Sequence, residues 1–148
     1  MTLEYIKNIS TFIVFAAIVR FASEYLGSDY LILFLDKNLI TILIALLAIN
    51  TTTGSVVMTK LREITDKNGV NFSETIKNLK LSIFEQVFLI VIALVLLVLV
   101  HSPIFMALFT YSKSLVEILL IAVFIASLYN LYDTANSIFI ILNNEDAH

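Results

Sequence analysis

The 148-residue sequence has no cysteine, so it carries no disulfide framework, no thiol nucleophile and no thiolate metal site. Three glycines and one proline leave no room for a glycine-rich phosphate loop. Charged residues are scarce at 14%, where a soluble domain carries about a quarter. The net charge of −3 offers no basis for direct nucleic-acid binding. Apolar side chains fill the chain instead: they make up 59% of it, and the mean hydropathy is +0.96. A disordered chain needs the opposite balance. A soluble globule of this length cannot hide so much apolar surface from water. The composition therefore predicts an integral membrane protein, and one built of helices, because lipid cannot satisfy open backbone groups.

Crossing a hydrocarbon core of roughly 30 Å takes about 20 mostly apolar residues. Four segments meet that need, at about 10–26, 39–58, 83–100 and 115–142. The expected fold is a single all-α domain over 1–148 with four transmembrane helices. The first segment reads as a span rather than a signal peptide, since Arg20 interrupts its apolar run and no small-x-small cleavage pattern follows. Gly27, Ser28 and Asp29 end the first helix and can cap the next. Tyr30 to Leu35 is apolar but too short to cross. It either lies at the interface as a brief helix or starts the second span. Thr65 to Gly69 reads as a turn, with Asn71 and Ser73 as candidate N-caps and Glu74 in the first turn of the third helix. The polar stretch 60–80 is thus expected to be a helical hairpin projecting into water. His101, Ser102 and Pro103 end the third span, because proline cannot continue a helix.

Lysine and arginine mark the cytoplasmic side of a membrane protein. The hairpin holds Lys60, Arg62, Lys67, Lys77 and Lys80, and the N-terminal tail adds Lys7. The other two connections hold only Lys37 and Lys113. This bias predicts both termini and the hairpin on the cytoplasmic side. The basic cluster serves as a topology signal, or in addition docks lipid headgroups or an acidic partner.

Several polar residues fall inside the apolar segments. Arg20 and Glu24 lie four apart on the first helix and can pair on one face. Arg20 either snorkels towards the interface or lines a charged gate. On the second span Thr41, Ala45, Ala48, Thr52, Ser55 and Thr59 recur at helical spacing, so all six share a face. That face packs on another helix or lines an oligomeric pore. On the fourth span Ala122, Ala126, Asn130, Asp133 or Thr134, and Ser137 form a second stripe. It is either a packing seam or a polar path with Asp133 as an ion-binding carboxylate. The third span is apolar all round, so most of Phe88 to Val98 is expected to face lipid. Glu85, at its start, is a candidate partner for Lys80 or Arg62, or for a cation in a vestibule.

No catalytic constellation emerges. His101 and His148 fall on opposite sides of the membrane, and the carboxylates are not paired for acid–base work. The expectation is no enzyme, no cofactor and no metal. One unit is small for a pore, because side chains fill the centre of a four-helix bundle. Two small or polar stripes, of which only one need be used internally, predict a homo-oligomer, with a tetramer as the expected closed form.

Three short motifs carry a resemblance: Lys60-Leu61-Arg62-Glu63, Ser82-Ile83-Phe84-Glu85 and Leu128-Tyr129-Asn130-Leu131. With the span plan, they make the chain similar to the small four-span phage-exclusion membrane proteins of the RexB type. It also resembles the membrane subunits of two-gene defence systems such as the Kiwa type. The resemblance implies a multi-pass protein of the bacterial inner membrane, an effector that lets ions through when a cytosolic partner signals infection. It assigns no site: Arg20, Glu24 and Asp133 have no counterpart in it.

Overall fold

The computed structural model describes the backbone of residues 2–68, 72–108 and 112–145, and the side chains of 8–65, 72–107 and 112–136. These residues form five helices: α1 (Thr2–Tyr25), α2 (Tyr30–Asn68), α3 (Ser73–Val100), α4 (Pro103–Leu108) and α5 (Ser112–Glu145). Three of them, α2, α3 and α5, are long and apolar enough to cross a membrane, which marks a helical membrane protein. At 1.5 Å per residue, α2 is about 58 Å long, roughly twice the thickness of a hydrocarbon core. It therefore extends well beyond any single bilayer crossing.

Local chemistry explains where the helices break. Gly27 adopts φ 63°, the left-handed region open to glycine at no steric cost. Its N–H donates to Glu24 O and that of Ser28 to Ser23 O, which closes a Schellman turn at the end of α1. Leu33 N–H then donates to Asp29 O as α2 begins. Tyr30 to Leu35 is the first turn and a half of α2, not a separate interfacial helix. At the other end α2 stays helical to Asn68, past the turn expected from Thr65. The N-cap of α3 is Phe72 and makes no side-chain cap. Ser73 is already helical, so it is not the cap, and Asn71 lies outside the described residues. Pro103 sits at the first position of α4, where its missing N–H costs nothing. Ser102 Oγ accepts from Phe105 N–H at 3.3 Å and so caps this short helix, which the sequence pattern had not suggested.

Helix α5 is the hub, packed against each of the other four. With α2 and α3 it makes a three-helix core in which every pair is in contact. The seam of α2 runs Leu35, Leu39, Leu43, Leu46, Asn50, Gly54, Val57 and Leu61, all buried. Helix α1 leans on α5 from outside this core. It does so through one ridge at four-residue spacing: Phe12, whose ring centroid is 5.2 Å from that of Tyr129, then fully buried Ala16, then Arg20. The remaining surface of α1, from Ile13 to Phe21, is largely exposed apolar side chain.

Two dry clusters fill the core. The larger, near the α4 end, gathers Leu35, Leu39, Leu43 and Leu46 with Ala93, Leu96, Val116 and Leu120 to Val123. The smaller, near the α2–α3 connection, joins Val57 and Leu61 to Leu79, with Phe72 and Ile76 against them. In the described part of the stretch 60–80, the end of α2 and the start of α3 thus pack on each other. On α3 the outward row is Phe84, Val87, Phe88, Val91, Leu94, Val95 and Val98. Ala93 and Leu96, within the segment from Phe88 to Val98, turn inward instead. Hydropathy cannot separate these sides, because lipid is as apolar as leucine.

Candidate functional site

Between the two dry clusters lies a polar layer. Ser82 and Gln86 on α3 meet Asn130 and Thr134 on α5. Ser82 Oγ is 2.6 Å from Asn130 Oδ1 and 2.7 Å from Thr134 Oγ1. Asn130 Nδ2 donates to Ser82 O at 2.9 Å and to Gln86 Oε1 at 3.3 Å. Thr134 and Ser127 return their hydroxyl protons to the carbonyls of Asn130 and Val123, four residues earlier. Interhelical bonds of this kind hold helices together where apolar burial gains nothing over lipid. Asn50 on the inner face of α2 is also buried.

The layer uses only part of the expected α5 stripe. Ala122 and Asn130 are buried and Ala126 is half-buried, but Asp133 is exposed and lies outside the seam. Thr134, the other residue of the stripe at that level, is buried, and Ser127 faces inward beside it. Asp133 stands 100° around the helix from Thr134, enough to leave a contact arc already occupied by Ser127, Asn130 and Thr134. The side chain of Ser137 lies outside the described residues.

The α2 stripe is disposed differently. Thr41, Ala45, Ala48, Thr52, Ser55 and Thr59 are all exposed, opposite the buried seam. Thr51, Thr52, Ser55 and Thr59 donate to the carbonyls four residues back, at 2.8 to 3.1 Å. Their protons are spent on the backbone, so the face presents oxygen lone pairs and methyl groups rather than donors. None of the described residues covers it.

At the α4 end a second constellation ties α1 to α5. Arg20 Nε donates to Glu117 Oε2 at 2.6 Å. Arg20 Nη1 also reaches Glu24 Oε2 at 3.5 Å, the pairing expected from the sequence. The short bond, however, goes to Glu117, which the sequence reading missed. Lys113 Nζ lies 3.9 Å from the other oxygen, Glu117 Oε1. The signal was present: Glu117 is a carboxylate early in the last apolar segment, about as far from the α4 end as Arg20. Close by, His101 Nε2 stands 3.6 Å from Asp36 Oδ2, and Nδ1 is 2.9 Å from Leu97 O.

On the hairpin Lys60, Arg62, Lys77 and Lys80 are exposed. Lys60 Nζ is 3.4 Å from Glu63 Oε2, so one of the four is partly offset. Glu85 is half-buried. The side chain of Lys67 lies outside the described residues. Among the described residues no group of three histidine or carboxylate side chains is placed to hold a metal. Comparison with family models, curated proteins and solved structures finds no match for this chain.

Proposed function

We propose that the chain is a channel-like membrane effector that assembles into a homo-oligomer, with α2 at the subunit contact or pore wall. The observation that carries this reading is the uncovered α2 face, where six small or hydroxyl-bearing residues share one side of an otherwise apolar helix. A lipid-facing helix has no use for that pattern, whereas a helix contact or a wetted wall does. Lone pairs directed outward from Thr52, Ser55 and Thr59 suit a cation better than an anion. In this reading α1 is the fourth span, the termini and the α2–α3 connection are cytoplasmic, and a tetramer is the closed assembly. The bacterial inner membrane, the anti-phage role and the cytosolic partner follow the resemblance to phage-exclusion proteins. Ion flux from liposomes carrying the purified protein tests the proposal. Flux above that of empty liposomes, reduced by Thr52→Leu, is the expected result, and tight liposomes at all protein densities would overturn it.

The exposed Arg62, Lys77 and Lys80 favour a second reading, a non-conducting anchor whose hairpin recruits an acidic soluble partner. Under it liposomes stay tight, and Lys77→Glu with Lys80→Glu weakens recovery of that partner, most strongly at low salt.

A further inference from the structure

The polar layer holds more hydrogen-bonding capacity than it uses. Asn50 is 1% exposed, and neither Oδ1 nor Nδ2 meets a partner among the described residues. Gln86 is fully buried, and its Nε2 is likewise unpartnered while its Oε1 accepts from Asn130. Leaving such a group unpaired costs about 1–3 kcal/mol. Natural structures rarely tolerate three unpaired buried atoms in one place.

The helix register brings these atoms to one height. Gly54 lies against α3, where a methyl group in place of its hydrogen would stand 3.8 Å from Ile83 Cδ1. The cluster of Val57 and Leu61 with Leu79 and Ile76 continues the same antiparallel register towards the connection. One turn the other way places Asn50 of α2 beside the level of Gln86 on α3. Asn130 of α5 is bonded to Gln86 at that level. The three helices of the core therefore each present a carboxamide to one height of the bundle.

We propose that this junction is a binding site for water, with one molecule bridging α2 and α3. It accepts from Gln86 Nε2 and donates to Asn50 Oδ1, and a second water takes the proton of Asn50 Nδ2. The chemistry of the donor set selects a neutral ligand. The unused groups are two amide nitrogens, which donate, and a single carbonyl oxygen, which is too few acceptors for a bare cation. Asn50, Ser82, Gln86, Ser127, Asn130 and Thr134 carry no charge, so an anion would sit uncompensated in a medium that penalises it heavily. Water supplies both roles and needs only two to four polar partners. At this height α2 then has polar groups on both sides, Asn50 inward and Thr51 and Thr52 outward. The site lies within one protomer and is independent of whether the chain assembles or conducts.

Proton NMR of the full chain in lipid nanodiscs tests the site, using the side-chain amide protons of Asn50 and Gln86 against the water resonance. The expected result is a rotating-frame cross peak to water at both amides, of the sign that excludes chemical exchange, despite the surrounding apolar helices. Asn50→Leu should then remove the water cross peak at Gln86. Absence of water cross peaks in the wild-type chain, with a direct cross peak between the two carboxamides, would overturn the proposal, because the amides would be pairing with each other. A water signal that persists at Gln86 in Asn50→Leu would equally overturn the bridge.

Discussion

Arg20 and Glu117 stand 97 positions apart in the chain, yet their side chains meet at 2.6 Å, that of Arg20 being 13% exposed and that of Glu117 3%. This contact fastens α1 to the hub helix at the α4 end, while Phe12 against Tyr129 and buried Ala16 fasten it lower down. Because α1 touches the core mainly through α5, the pair bears directly on whether α1 stays docked.

Removing one partner should therefore cost more than removing both. Glu117→Leu leaves the largely buried Arg20 with only its longer contact to exposed Glu24, a loss approaching ~3 kcal/mol. The double variant Arg20→Met with Glu117→Leu should recover most of that loss, since an apolar pair avoids the desolvation penalty. Unfolding of the two variants in lipid–detergent mixtures checks this, and a double variant less stable than the single would contradict it.

Assembly should depend on the α2 face and not on the outer row of α3. Ala48→Leu places bulk where close helix approach is expected, so cross-linked oligomer should fall sharply. Val95→Leu, on the exposed row of α3, should leave oligomer recovery unchanged. A wild-type protein that stays monomeric in native nanodiscs would remove the basis for the comparison and favour the anchor.

Within the protomer, Leu96 and Val95 are neighbours in sequence with opposite surroundings. Leu96 is buried in the larger cluster and Val95 is exposed. Leu96→Ala opens a cavity and should destabilise the fold by about 2–5 kcal/mol. Val95→Ala should cost well under 1 kcal/mol, because surface changes away from specific contacts are small. Equal losses at both positions would mean that α3 faces the core with a different side.

Topology can be read with an introduced thiol, since the native chain has none. Asn68→Cys, at the end of α2, should react with a membrane-impermeant reagent only after the cells are opened. Labelling of intact cells would reverse the orientation predicted by the basic bias.

What the sequence determined by itself is the class of the protein and the punctuation of its helices. Composition excluded a soluble globule. Gly27 ended α1 and Pro103 ended α3 for local steric reasons that need no neighbour. The spacing of Thr41, Ala45, Ala48, Thr52, Ser55 and Thr59 placed them on one face, because helical periodicity is a local property. The tertiary structure decided which faces meet. It turned the α2 stripe outward and put Leu35, Leu39, Leu43, Leu46, Val57 and Leu61 inward, and of Asp133 and Thr134 it chose Thr134 for the α5 seam. It also joined Arg20 to Glu117 as well as to its helical neighbour Glu24. Hydropathy could not foresee these choices. In water an apolar face marks the interior, but a chain bathed in lipid is apolar on both sides, so the interior is selected by shape and by polar contacts between residues distant in sequence.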